Sequence, residues 1–259
     1  MHLTRRGYTL VELLTVMAII AILSAIFSPA VRSGFGAAKQ FSAGEAMHQL
    51  GLALQNYTAD SDDTYPLGMD SSNDGGIQAW FGHQGTDGKI DVKQGSLSMY
   101  LGKTRPKDPT ADYKDYFGDH SGYGYNWETL GSDYSQTKDF STFPNCKNAA
   151  TTTQIAHPSR TVAFATSVFL RAPWMPNGDG SAYDFGFVSP PRDWGGNPNM
   201  DFRHMGTRTV DPNTQSVSYT GNALVLWVDG SLKALKQGQV QDKMFERDAP
   251  DEGSASTSN

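Results

Sequence analysis

Residues 10–27 read LVELLTVMAIIAILSAIF, a run of 18 residues that carries a single charge, Glu12. As a helix this run would be about 27 Å long, close to the thickness of the hydrocarbon layer of a bilayer. The run is apolar on all sides, which is typical of a helix in lipid rather than of one face of a core helix. The sequence therefore predicts a membrane-spanning segment near the N-terminus.

The remainder of the 259-residue chain is polar, rich in glycine and acidic, with a net charge of −6 for the whole sequence. This length suits one medium-sized domain plus an appendage. The acidic balance and the lack of a long basic run argue against a nucleic-acid partner, and none is expected. A single cysteine, Cys146, excludes an internal disulfide framework and a cysteine-based metal cluster.

The basic residues Arg5 and Arg6 precede the apolar run, so the positive-inside rule predicts a cytoplasmic N-terminus and an exported body. Arg32 and Lys39 follow the run and weaken this asymmetry. The alternative is a cleaved secretory signal peptide, which has an apolar region of about 7–15 residues, shorter than the run found here.

Glu12 needs an explanation, because a carboxylate inside a membrane helix costs about 2.5–3.5 kcal/mol on insertion scales. One interpretation places it at the level of the lipid headgroups. The other requires a cut between Gly7 and Tyr8, which would create an α-amino group at Tyr8. That ammonium in one chain would pair with Glu12 of a neighbour in a shared apolar core, satisfying two charges that are costly alone.

The segment Arg6–Leu13, RGYTLVEL, resembles the prepilin cleavage and methylation motif of type IV pilins and type II secretion pseudopilins. The resemblance implies cleavage between Gly7 and Tyr8, N-methylation of Tyr8, and a role for Glu12 in assembly. Pro29 lies where many family members have a helix-kinking proline. Tyr8 departs from the usual phenylalanine at the first mature position.

The same resemblance implies a set of partners. These are a prepilin peptidase, other pilin or pseudopilin subunits in a homo- or hetero-polymer, an inner-membrane assembly platform and the lipid bilayer. The expected location is a single-pass inner-membrane protein with a cytoplasmic N-terminus and an extracytoplasmic body. The subunit would then move into a periplasmic or cell-surface filament.

An amphipathic stretch follows the apolar run. The stripe of apolar residues along one side of it predicts that the helix continues to about Asp60. Apolar residues recur there at steps of three and four: Ala43, Met47, Leu50, Leu54 and Tyr57. The expected division is a leader peptide (1–7), a transmembrane and assembly helix (8–31), an amphipathic second half of the helix (32–60), an extracytoplasmic globular domain (61–247) and a flexible tail (248–259).

The body carries strand signals in its second half. Residues 161–170 and 223–228 are rich in strand formers, and Asp229-Gly230 joins the latter run to residues 231–235 as a hairpin. Residues 207–219 are expected to form an inserted hairpin. The predicted fold is α+β and pilin-like, with a long N-terminal helix packed on an antiparallel β-sheet that has long loops.

The stretch from Tyr65 to Asn145 is rich in Gly, Asp and Ser, which predicts loops with few core residues. Trp80-Phe81 and Met99–Leu101 are predicted core residues. The aromatic cluster Tyr123–Trp127 is interpreted as core, with an exposed sugar-stacking face as the alternative.

Parts of the body resemble a large uncharacterised family of pilin-like proteins common in planctomycete-type bacteria. The resemblance is carried by Leu50–Tyr57, by His157–Val162, by Arg203-His204 and by Asp229-Gly230. It implies a pilin-like fold and no particular ligand.

Standard catalytic motifs are missing from the sequence, and no enzymatic activity is expected. His204 with Asp229 would suit either a relay or a structural hydrogen bond at the base of a hairpin. A calcium site is a further hypothesis, because Asn177, Asp179 and Asp184 offer side-chain oxygens around glycines.

These observations predict a structural subunit of a type IV pilus-like or type II secretion pseudopilus filament. The alternative is a membrane-tethered extracytoplasmic binding module for polysaccharide or calcium that does not polymerise. A surface hydrolase is the third hypothesis.

Overall fold

The computed structural model describes residues 9–72, 74–111, 113, 121–139, 141, 145–170, 181–210 and 217–248. The α-helices in these residues are α1 (Leu10–Asp60) and α2 (Tyr134–Thr137). The strands are β1 (Met69–Ser71), β2 (Ile77–Ala79), β3 (Gly82–Gln84), β4 (Ile90–Asp91), β5 (Tyr123–Asn126), β6 (Val162–Thr166), β7 (Phe169–Leu170), β8 (Ala182–Tyr183), β9 (Phe187–Val188), β10 (Arg208–Val210), β11 (Val217–Tyr219), β12 (Ala223–Trp227) and β13 (Leu232–Leu235).

Helix α1 is a single 51-residue helix that passes Pro29 without ending. It ends at Asp60, which confirms the predicted boundary. Asp62 and Asp63 then adopt positive φ angles of 49° and 58°, a conformation that cannot continue a right-handed helix. The amphipathic stretch is thus continuous with the apolar run in one rod.

The predicted stripe on the second half of α1 is confirmed as the face that packs on the body. Ala43, Met47 and Leu50 are fully buried, and Leu54 is nearly so. The helix lies close to the sheet, because a Cβ added at Gly51 would be 3.0 Å from the side chain of Leu226. The body therefore covers this half of α1 on one side.

The main sheet has the strand order β13-β12-β6-β5-β9. All its neighbours are antiparallel except β5 and β9, which pair in parallel. Successive side chains of a strand point to opposite faces. Leu224 and Leu226 of β12 accordingly join the core under α1, whereas Val225 and Trp227 join a second core on the other face.

Both predicted hairpins of the second half are confirmed. Strands β12 and β13 pair across Asp229-Gly230, where Gly230 has a φ of +85°. Strands β10 and β11 pair within the predicted insertion, although residues 211–216 between them lie outside the described residues. Together with α1 they give the α+β, pilin-like fold expected from the sequence.

A small antiparallel sheet, β1-β2-β3-β4, lies in the stretch that the sequence predicts only as loops. Its strands are two or three residues long, too short to show an alternating pattern. Trp80 and Phe81 are buried as predicted, but the prediction for Met99 is wrong, because its side chain is 81% exposed.

The aromatic cluster of β5 belongs to the core, as predicted. Tyr123 and Tyr125 are fully buried. The Tyr123 hydroxyl donates to the carbonyl of Ala43 on α1 (2.9 Å), and the Tyr125 hydroxyl donates to the carbonyl of Pro66 (3.0 Å). Tyr123 thus fastens α1 to the sheet and Tyr125 fastens the segment that follows α1, and neither ring is available to stack on a sugar.

Candidate functional site

The N-terminus of α1 is organised by Thr9 and Glu12, which form a capping box. The Glu12 carboxylate accepts hydrogen bonds from the backbone N–H of Thr9 (2.8 Å) and from its hydroxyl (2.9 Å), and the Glu12 N–H donates to the Thr9 hydroxyl (3.3 Å). This pattern satisfies two of the donors that every helix start leaves unpaired. The helix therefore begins within two residues of the predicted cut.

The predicted cleavage and methylation residues, Gly7 and Tyr8, lie outside the described residues. Glu12 is described, and its carboxylate lies at the end of the helix where a new α-amino group at Tyr8 would arise. Negative charge is favourable there, because the helix dipole has its positive end at the N-terminus.

The first half of α1 exposes nearly all of its large apolar side chains. Their exposed fractions range from 48% to 78%. They are Leu10, Val11, Leu13, Leu14, Val16, Met17, Ile19, Ile20, Ile22, Leu23, Ile26, Phe27 and Val31. An apolar surface of this extent marks a membrane or protein contact.

Among the described residues, α1 is the one helix long and apolar enough to cross a membrane, and its apolar window is not buried against the body. A core helix of a soluble protein would have this window covered. The exposed segment and the residues that precede it are thus the candidate functional site.

The calcium hypothesis is only partly covered by the structure, because Asn177 and Asp179 lie outside the described residues. Asp184 is buried and accepts hydrogen bonds from Arg105 (3.1 Å) and from the backbone N–H groups of Ser121 (3.1 Å) and Gly122 (2.7 Å). A cation bound by Asp184 would have to compete with these donors. Within the described parts of the chain, no three His, Cys, Asp or Glu side chains are grouped to hold a metal. Calcium binding stays a prediction.

A buried charged cluster that the sequence did not predict lies beside β5. The carboxylate of Asp108 accepts from Arg203 (2.6 Å) and from the His204 ring (2.9 Å). Arg203 also donates to Asp201 (3.1 Å). The side chains of Asp108, Asp201 and His204 are completely buried.

Electrostatics within this cluster favour the charged form of Asp108. Burial opposes ionisation, but the hydrogen bond from His204 and the positive charge of Arg203 outweigh it and hold the pKa of Asp108 well below its usual range. The cluster fastens the segment around residue 108 to that around residue 203.

The expected pair of His204 with Asp229 is wrong. His204 bonds to Asp108, and Asp229 accepts from the backbone N–H (2.9 Å) and hydroxyl (2.7 Å) of Ser231 in its own turn. Arg203-His204 is recognisable in the sequence, but no local signal indicates a partner 96 residues away. Because the His204 side chain is fully buried, it is not accessible to a substrate.

Glu128 is a second buried carboxyl group, and its pKa is shifted in the opposite direction to that of Asp108. Burial, with Asp193 beside it, raises the pKa of Glu128 to about 8. One of its carboxyl oxygens has no hydrogen-bond partner in the described structure. Burial in the interior of the body therefore favours the protonated form of Glu128.

Comparison with known proteins supports the N-terminal segment as the functional site. The family model of the prokaryotic N-terminal methylation motif matches residues 3–28, which include Gly7, Tyr8 and Glu12. No curated protein and no solved structure matches the chain. The chain thus carries a prepilin N-terminal segment and is similar to type IV pilins and pseudopilins through it. The resemblance of the body to the planctomycete-type family stays a prediction.

The methylation motif and the exposed apolar half of α1 together indicate that the N-terminus anchors the protein in a membrane. The motif also implies processing by a prepilin peptidase.

Proposed function

We propose that this chain is a structural subunit of a type IV pilus-like or type II secretion pseudopilus filament. In this proposal the prepilin peptidase cuts between Gly7 and Tyr8 and Tyr8 is N-methylated. The observation that carries the proposal is the exposed apolar half of α1, most of which lies within the residues matched by the methylation-motif model. Such a surface is stable only in lipid or against other apolar helices, and the two environments correspond to the membrane pool and the filament core.

Glu12 has a specific part in this assembly. In the single chain its carboxylate is held by Thr9 at the start of its own helix. Bringing it into a filament core removes it from water, which is costly unless an opposite charge is near. The ammonium of Tyr8 in a neighbouring subunit provides that charge, and a charge-assisted hydrogen bond is stronger than the bond to the neutral Thr9 groups. The pair would set the axial register between subunits.

The proposed topology places Arg5 and Arg6 in the cytoplasm and the body on the other side of the inner membrane. An assembly platform would then transfer the subunit into a periplasmic or cell-surface filament. The chain acts through assembly rather than catalysis, and the fibre carries out the work on its surroundings.

The test compares Glu12→Gln with Glu45→Gln in the producing bacterium. Glutamine also completes a capping box, so Glu12→Gln keeps the helix start and removes only the charge. Glu45 is an exposed glutamate on the same helix and is the matched control. We expect filaments to be lost for Glu12→Gln alone, with both variants at wild-type levels in the membrane. Normal filaments from Glu12→Gln would overturn the charge-pairing role, and a chain that is never found in any filament fraction would overturn the proposed function.

A further inference from the structure

A pocket of about 310 Å³ lies on the face of the main sheet that is turned away from α1. The alternation along β13 separates the two faces. Leu232 contacts the helix side, where a Cβ added at Gly44 would be 3.1 Å from it, whereas Lys233 and Leu235 line the pocket. Trp227 of β12 also lines the pocket and belongs to the second core. The pocket is thus separate from the assembly segment.

Backbone hydrogen bonds fix one wall of the pocket. The N–H of Val228 donates to the carbonyl of Thr161 (3.0 Å), and the N–H of Asp229 donates to the carbonyl of Pro158 (3.1 Å). These bonds fasten the segment 157–161 to the end of β12. They bring together two of the sequence patches, His157–Val162 and Asp229-Gly230, that the assembly function does not use.

The charge of the pocket is opposite to that of the protein. Arg160, Lys233 and Lys243 line it, and none of its lining residues is aspartate or glutamate. The whole chain carries 27 acidic and 21 basic residues. Three basic side chains at one cavity, with no acidic side chain in its lining, favour an anionic ligand over a cationic one.

The other lining residues indicate the chemistry of the uncharged part of the ligand. Trp227, Leu235 and Met244 form an apolar wall, and the side chain of Trp227 is 4% exposed. The Nζ of Lys233 lies 5.9 Å from the centre of the Trp227 ring, which places the cation beside that wall. Hydroxyl and amide side chains and the imidazole of His157 complete the lining. A site with cations, neutral polar groups and an apolar wall fits a small organic anion with several hydroxyl groups.

We propose that this pocket binds an acidic sugar unit. The oxyanion of the sugar, a carboxylate or a phosphate ester, would be held by Arg160, Lys233 and Lys243. Its hydroxyls would bond to the neutral polar groups, and its ring would lie against the half-buried side chains of Leu235 and Met244. If the filament is assembled with α1 inside, the pocket faces outward on its surface.

The experiment is isothermal titration calorimetry on the full chain. The protein is kept in a polyoxyethylene detergent, because such a detergent contains no sugar group. The probes are galacturonate and glucose 6-phosphate, with galactose, glucose and inorganic phosphate as controls. We expect one or both acidic sugars to bind at least tenfold more tightly than the neutral sugars and inorganic phosphate. Galacturonate alone would identify a carboxylate site, and glucose 6-phosphate alone a phosphate-ester site.

Variants locate the binding in this pocket. Lys233→Gln and Arg160→Gln should each weaken binding at least fivefold, because each removes one of the cations. Lys147→Gln, an exposed lysine outside the pocket, removes the same charge and should leave binding unchanged. Binding of neutral and acidic sugars with equal affinity, equal binding of inorganic phosphate, no binding of any probe, or unchanged binding by Lys233→Gln and Arg160→Gln would each overturn the proposal.

Discussion

Replacing Asp108 by asparagine tests whether the buried charged cluster holds the body together. The substitution keeps the shape of the side chain and removes its charge. Arg203 and His204 donate to one carboxylate oxygen of Asp108, and the backbone N–H and hydroxyl of Thr110 donate to the other. The N–H₂ group of an asparagine would therefore face donors in either orientation, Arg203 and His204 in one and Thr110 in the other. Arg203 would keep only Asp201 as a charged partner, although its side chain is 8% exposed.

The expected loss of stability is about 3–5 kcal/mol, the usual cost of removing one partner of a buried ion pair. This is a large part of the 5–15 kcal/mol or so that stabilises a typical folded domain. Urea unfolding of the full chain in nonionic detergent, followed by tryptophan fluorescence, measures it. The matched control is Asp62→Asn, at an exposed turn position with positive φ where asparagine is equally suited, and it should change stability by less than about 0.5 kcal/mol.

The same variant has a defined dependence on pH. The pKa of Asp108 is lower in the folded protein than in the unfolded chain, so unfolding takes up a proton at acidic pH. The stability that Asp108 contributes is complete above about pH 4 and is lost as the pH falls below that value. The difference between wild type and Asp108→Asn should therefore shrink below about pH 4. A difference under 1 kcal/mol at pH 7, or one that grows in acid, would refute the assigned role of the cluster.

Three further predictions concern the body. The wild-type protein should lose stability as the pH rises from about 4.5 to about 8, because the folded protein retains on Glu128 a proton that the unfolded chain releases, and Glu128→Gln should abolish this loss. Urea midpoints at pH 5 and pH 8 measure the loss, and an equal loss in the variant contradicts the prediction. Gly124→Ala should destabilise the protein by more than about 2 kcal/mol, because its Cβ would lie 2.5 Å from the Phe187 backbone; a thermal midpoint equal to wild type argues against this close approach. Met47→Ala should lower the free energy of unfolding by about 2–5 kcal/mol, because it opens a cavity between α1 and the sheet. The same change at the exposed Met99 should lower it by less than about 0.5 kcal/mol, and similar losses at both sites would refute the assigned core.

The features that sequence predicted correctly depend on neighbouring residues. Helix α1 follows from the apolar run and from the stripe of apolar residues after it, which repeats at steps of three and four residues. The β12–β13 hairpin follows from Asp229-Gly230, because the turn requires a residue that accepts positive φ.

The features that sequence missed depend on distant residues or on very short elements. The pairing of β6 with β12 joins segments about 60 residues apart, and Asp108 meets His204 across 96 residues. The strands of the small sheet have too few residues for a pattern. Met99 shows that an apolar residue beside aromatics need not be buried.

The same distinction between neighbouring and distant residues holds for the N-terminal site and for the basic pocket. Gly7, Tyr8 and Glu12 are found by a contiguous motif, which the family comparison supports. The basic pocket is assembled from residues 157–161 and residues 227–244, so only the structure brings its cations together.

The central claim is that this chain is a processed prepilin, and the N-terminus of the mature protein tests it most directly. Mass spectrometry would be applied to the protein from native membranes and from sheared surface or periplasmic filament fractions. We predict a chain that begins at N-methylated Tyr8, found in the membrane and in one of the filament fractions. A mature chain that begins at Met1, or one cut near Ala30, would contradict the account.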